Sequence, residues 1–191
     1  MLIRDLTEHI VNAFDSDTKT KYAEEVWDLL QKGYAGVGGF HSSPNIDDLI
    51  QNTGLWKVVT RDGRVSAVVI YKDQYGRKSI AATTDGTTQG RKDYGMVSRE
   101  DHVRGRAWAE ASGVPEKILA RMGAKPLPNK FAAYLTGKEI LNFNPDGVHY
   151  TRDIGGEPHE KVIFGVVKFT PEQIAELEKL GISIHDLPQN S

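Results

Sequence analysis

The sequence predicts an α/β domain built on a mainly antiparallel central sheet flanked by helices. Three observations carry this. β-branched runs recur at Leu55–Arg61, Arg64–Lys72 and Lys78–Thr84; the hairpin dipeptide Asp62-Gly63 separates the first two; and an amphipathic helical stretch precedes them. A chain of 191 residues is long enough for one good core. The simplest organisation is one domain over residues 1–168, followed by a C-terminal helix and tail over 169–191.

Thr7 to Phe14 reads as a short helix and Asp17 to Lys32 as a longer one, with Tyr22, Val26, Leu29 and Leu30 at core-stripe spacing and Gly33 as its stop. Gly33 to Pro44 is a glycine-rich connector, either an ordinary one or a segment that folds over a substrate. Asn45 is placed to cap a short helix through Ile50. The three strands then form a meander, with Val65, Ala67, Val69 and Tyr71 on one face of the second strand and Gln74-Tyr75-Gly76 turning into the third.

From Asp85 to Val97 the chain is polar and rich in glycine, including Gly90 and Gly95, and carries Arg91 and Lys92. Ser98, with Asp101 three residues on, reads as the N-cap of the next helix. A basic loop at a helix N-terminus is one way to cradle a phosphate or pyrophosphate; the other reading is a solvated surface loop with turn glycines. On the helix from Ser98 to Gly113, the residues Val103, Ala107, Glu110 and Val114 fall on one side. A carboxylate on an apolar stripe is either a general base or one half of an ion pair with Arg104 or Arg106.

Pro115 opens another helix through Arg121, stopped by Gly123, and Ala124 to Pro128 is extended. Asn129 to Leu135 reads as a helix bearing Tyr134. Val148–Ile154 and Lys161–Val167 make a closing hairpin, and Thr170-Pro171-Glu172-Gln173 opens a last helix ending at Gly181.

Composition narrows the chemistry. There is no cysteine, so disulfides, thiolate catalysis and zinc ribbons are excluded. The formal net charge of −2 gives no global reason to expect nucleic acid, although Arg91, Lys92, Arg99, Arg104 and Arg106 gather along one stretch. No apolar stretch reaches membrane-spanning length and the N-terminus lacks a signal-peptide pattern, so the expectation is a cytoplasmic protein without membrane partners. His9, His41, His102, His149, His159 and His185 show no metal-ligand spacing, and Ser66, Ser98 and Ser112 lie in no nucleophile-elbow motif.

The order of elements over residues 17–168 resembles the GNAT (GCN5-related N-acetyltransferase) superfamily. Arg91-Lys92-Asp93-Tyr94-Gly95-Met96 is similar to its Q/R-x-x-G-x-G/A loop, with Tyr94 and Met96 where the family has small residues, and Gly123-Ala124 is similar to its "LGF" corner. The segments GRKSIAATTDGT and PDGVHYTR look like those of GNAT-like proteins of tailed phages, which would place the protein in a host cytoplasm. The resemblance implies an acyl-CoA-dependent N-acyltransferase that moves acetyl from acetyl-CoA to a small-molecule or protein amine. It further implies Glu110 or Asp85 as base, Tyr134 or Tyr150 as acid, and a backbone N–H near Ala82, Thr83 and Thr84 on the thioester oxygen. Gly90, Arg91, Lys92 and Gly95 would hold the pyrophosphate. Two other readings stand beside it: a GNAT-like binding or virion-associated module without CoA chemistry, and a nucleobase-modifying transferase that uses the arginine cluster.

Overall fold

The computed structural model describes residues 9–37, 39–141 and 144–188. They pack as two compact units, Met1–Asp73 with Ser79–Ser98, and Gln74–Lys78 with Arg99–Ser191.

In the first unit, β1 (His9–Ala13) runs antiparallel to β2 (Trp56–Arg61), with Ala13 opposite Trp56 and His9 opposite Thr60. Between them in sequence lie α1 (Ser16–Tyr34) and α2 (Ile46–Gln51). β2 is antiparallel to β3 (Arg64–Asp73) through the Asp62-Gly63 turn, and β4 (Arg77–Thr84) lies beside β3. Asp15 caps α1 by accepting from the Thr18 N–H at 2.7 Å, and Asn45 caps α2 by accepting from the Asp48 N–H at 2.8 Å. Ala23, Val26 and Leu30 of α1 and Leu49 and Ile50 of α2 pack on Trp56, Val58, Val68 and Ile70. Val26, Leu30 and Leu49 are fully buried, and each such side chain contributes about 1.5–3 kcal/mol. The other face of the sheet receives α3 (Thr88–Ser98), bound to it by Asp93. Covered on both faces, β3 is buried continuously from Val65 to Tyr71.

In the second unit, Arg77 and Lys78 of β4 pair in parallel with Ala107 and Trp108 of β5 (Ala107–Ala111). Beyond β5, the chain forms α4 (Val114–Met122), α5 (Ala132–Thr136), β6 (Tyr150–Ile154), β7 (Glu157–Gly165) and α6 (Pro171–Lys179). β5 is antiparallel to β7, and β7 to β6. Leu119 of α4 packs with Ala109, Ala111, Val162 and Phe164, while Trp108, Tyr150 and Ile163 pack with Leu127, Phe131 and Leu135. α6 opens with a complete capping box between Thr170 and Gln173. The architecture is therefore α/β with mainly antiparallel pairings and a short parallel contact between β4 and β5.

Three sequence expectations are corrected. Of the predicted Thr7–Phe14 helix, Thr7 and Glu8 lie outside the described residues and His9–Ala13 is strand β1. A segment this short cannot nucleate a helix alone, whereas the open edge of β2 offers it a ladder along its whole length. The predicted loop over Asp85–Val97 is mostly α3, and Ser98 is the last residue of that helix, not the N-cap of another. The true cap is Thr87, whose Oγ1 accepts from the Gly90 N–H at 2.9 Å. Gly90 is there for close packing: a Cβ would lie 2.1 Å from Asp85 Oδ1 and 2.9 Å from the Ser66 carbonyl oxygen. The predicted Ser98–Gly113 helix is instead a π-helical turn, Arg99–Val103, followed by β5. Ala107–Ala111 has helix-favouring alanines, but sheet pairing on both sides overrides that preference.

Candidate functional site

Each unit brings together part of the residue set singled out from the sequence. In the first, β4 ends in a turn that feeds α3. Thr84 Oγ1 accepts from the Gly86 N–H at 2.9 Å, and the Asp85 N–H donates to the Ser66 carbonyl at 2.9 Å. Asp85 Oδ1 accepts from Thr87 twice, from its N–H at 3.0 Å and its Oγ1 at 2.6 Å. The carboxylate is thus a brace for the helix cap. Arg91 and Lys92 are exposed in the first turns of α3, while Gly95 lies in its interior. Two first-turn amides are used by the chain itself, that of Gly90 by Thr87 Oγ1 and that of Arg91 by the Thr87 carbonyl at 3.0 Å. On β4, the Ala82 N–H donates to the Tyr34 hydroxyl at 3.2 Å and the Thr83 hydroxyl to the Leu29 carbonyl at 3.3 Å.

Asp93 anchors α3 beneath this turn. Its carboxylate is buried and accepts from Arg61 through Nε and Nη2 at 2.8 Å each, from Ser66 Oγ at 2.7 Å and from Gln89 Nε2 at 3.1 Å. Burial pushes the Asp93 carboxyl up, but the bonds from Arg61, Ser66 and Gln89 outweigh it and hold the group at about 2. The sequence does not single out Asp93 because two of its three partners, Arg61 and Ser66, stand on strands far from it in the chain.

In the second unit, Glu110 sits mid-strand on β5 opposite Ile163 of β7, and Tyr150 on β6 sits opposite Lys161 of β7. This register puts Glu110, Tyr150 and Arg152 on one face of the sheet. Arg152 Nη2 donates to Glu110 Oε1 at 2.6 Å and the Tyr150 hydroxyl donates to Glu110 Oε2. Burial, then the charge and hydrogen bond of Glu110, push the Tyr150 phenol up against the pull of Arg152, so it stays protonated. Alongside, Lys161 Nζ donates to Ser112 Oγ at 3.2 Å. The ion-pair partner of Glu110 is therefore Arg152. Arg104 and Arg106, the partners proposed from sequence, instead meet Glu100 at 2.9 and 3.5 Å. Alternation along Tyr150-Thr151-Arg152 was the available signal for Arg152, and it needed the position of β5 to acquire meaning.

Tyr134 stands apart from this group. It is on α5, its hydroxyl donating to Glu176 Oε2 at 2.6 Å, and that bond leads in pushing the phenol up to about 12. Among the described residues, no group of three or more His, Asp or Glu could hold a metal ion, and no helix is long and apolar enough to cross a membrane.

No family model matches this sequence, and no curated protein does. Solved structures are similar to it at low identity. An acetyltransferase from Bacillus subtilis in complex with CoA is 10% identical over 85% of this chain and 100% of its own, with a TM-score of 0.48. The Drosophila melanogaster polyamine N-acetyltransferase is 11% identical over 83% of this chain and 100% of its own, with a TM-score of 0.44. A tandem GNAT protein from the clavulanic acid biosynthesis pathway is 16% identical over 64% of this chain, with a TM-score of 0.42. The chain spans 46% of that tandem protein's length.

Proposed function

We propose that the chain is an acyl-CoA-dependent N-acyltransferase that takes an acetyl group from acetyl-CoA to a small-molecule or protein amine. The observation that carries the reading is the passage from β4 through the Gly86 turn into α3, with Arg91 and Lys92 exposed on the first turns of that helix. Two cations at the positive end of a helix suit a diphosphate. The fit differs from the sequence expectation in one respect. With the Gly90 and Arg91 amides spent on Thr87, the grip on phosphate falls to the Arg91 and Lys92 side chains.

In the reaction, the amine nitrogen attacks the thioester carbonyl carbon and a C–N bond forms while the carbonyl electron pair moves to oxygen. Collapse restores the carbonyl and breaks the C–S bond; the proton lost by the amine balances the one taken up by the CoA thiolate. Glu110 is proposed as the base, with Tyr150 as the protonated phenol bound to it and Arg152 as the residue that fixes its orientation. Asp85, committed to Thr87, is a helix brace in this reading, and Tyr134, tied to Glu176, is not the acid.

The test is direct binding of acetyl-CoA by calorimetry. Wild-type protein binds, and Arg91→Ala with Lys92→Ala weakens binding by an order of magnitude or more, on the order of 1–3 kcal/mol for charge-assisted bonds to phosphate. Absence of wild-type binding moves the chain to the binding-module reading. One observation favours that second reading: the Asp85 carboxylate lies against the first turn of α3, where it opposes an anion. Mass spectrometry of the purified protein for retained CoA separates the two.

A further inference from the structure

We propose that Tyr34 is a catalytic residue, its hydroxyl held by the Ala82 amide of β4 and donating a hydrogen bond to the carbonyl oxygen of the bound acyl thioester. This rests on the acyl-CoA reading and puts a side-chain donor in place of the Ala82 amide. The family resemblance assigns the thioester oxygen to a backbone N–H near Ala82, Thr83 and Thr84, and in this chain the Ala82 N–H is already given to Tyr34 at 3.2 Å. An N–H given to the phenol is not free for a ligand. The phenol, however, accepts through oxygen and keeps its own proton, for which it has no acceptor among the described residues.

The placement of the hydroxyl is rigid. Tyr34 is the last residue of α1, and its ring packs on Phe40 with centroids 5.4 Å apart. The end of α1 is pressed onto β4: a Cβ on Gly33 would lie 2.2 Å from Thr83 Oγ1 and would force that side chain to shift, and Thr83 Oγ1 bonds back to Leu29 of the same helix. Helix end, aromatic support and strand amide together fix one hydroxyl beside Ala82 of β4. Burial raises the phenol above its ordinary range, more than the Ala82 amide lowers it, and Tyr94 adds to the rise. Tyr34 is therefore protonated at neutral pH. An amide donating to the phenol oxygen polarises its O–H and makes it a better donor. As the amine adds and charge moves to the carbonyl oxygen, that bond strengthens; when the C–S bond breaks, it relaxes. Tyr34 keeps its proton throughout and only donates a hydrogen bond.

The experiment reads the bound carbonyl itself, so it needs no acceptor amine. Infrared difference spectra of [1-13C]acetyl-CoA are recorded on the full chain, with affinity measured in parallel. In the wild type the bound carbonyl band lies below that of free acetyl-CoA. Tyr34→Phe keeps the ring against Phe40, removes the hydroxyl, and moves the band back towards the free value, with Kd changed by less than about threefold. Phe40→Leu loosens the ring but retains the hydroxyl, and keeps the shift. A band still shifted in Tyr34→Phe overturns the proposal, as does a wild-type band with no shift. Binding about tenfold tighter in Tyr34→Phe also overturns it, because the phenol would then be a plug on the Ala82 amide. If wild-type protein binds no acetyl-CoA at all, the acyl-CoA reading falls and this one with it; in the other outcomes only the role of Tyr34 is lost.

Discussion

Glu110→Ala removes the carboxylate that Tyr150 and Arg152 share. The Glu110 and Arg152 side chains are 11% and 20% exposed, and Arg152 Nε is already buried without a partner. The variant thus leaves a largely desolvated guanidinium with its Nη2 bond gone. Breaking a fully buried pair from one side costs about 3–5 kcal/mol, and residual solvent access here lowers the guanidinium share to about 2–3 kcal/mol. The stranded Tyr150 hydroxyl adds about 1 kcal/mol. The expected loss is about 3–4 kcal/mol, read as a lower urea midpoint at unchanged slope. Glu110→Gln keeps one acceptor oxygen and should lose about half as much. Replacing all three groups together, as Glu110→Leu, Tyr150→Phe and Arg152→Met, should recover much of the loss, because no charge is left unpaired. A cost under about 1 kcal/mol for Glu110→Ala, or no recovery in the triple variant, refutes the account of the cluster. The same series addresses catalysis. Measured where the protein is fully folded, Glu110→Gln should lower thiol release from acetyl-CoA by about a hundredfold or more with cofactor affinity intact. Turnover within about threefold of wild type under those conditions would instead make Glu110 a structural partner of Arg152 alone.

Asp93 should govern acid stability. Its carboxyl is lowered from 3.8 to about 2, so its contribution, about 2–3 kcal/mol, is present above the unfolded value and is lost as pH falls through the folded one. Asp93→Asn should flatten the stability–pH profile across that window, as followed by thermal melts at stepped pH. Gly90→Ala should destabilise by about 2 kcal/mol in denaturant titrations, since its methyl meets Asp85 Oδ1 and the Ser66 carbonyl; a neutral result would disprove the close approach. Asp85→Asn retains an acceptor for Thr87 and removes a charge beside the proposed phosphate site, so acetyl-CoA affinity should rise several-fold, about 1 kcal/mol, and more at low salt than at high. Tyr134→Phe should change turnover by less than about threefold, whereas a loss of about a hundredfold would restore it as the acid.

The amino-acid sequence by itself determined the elements whose signals are local. Alternating β-branched runs and the Asp62-Gly63 turn specify β2 and β3, the Asn45 cap specifies α2, and Thr170 with Gln173 specifies the start of α6, because each depends on residues within a few positions. Tertiary structure decided the rest. His9–Ala13 is a strand only because β2 has an edge to offer it. Ala107–Ala111 is a strand only because β4 and β7 pair with it, and on that strand Glu110 changes from a member of a helical stripe into the acceptor of Tyr150 and Arg152, some forty residues away. α3 begins at Thr88 because Gly90, which locally reads as a loop residue, lets the helix settle against Asp85 and Ser66. Sheet pairing and close backbone approach join residues distant in the chain, and a pattern confined to neighbouring positions carries no record of them.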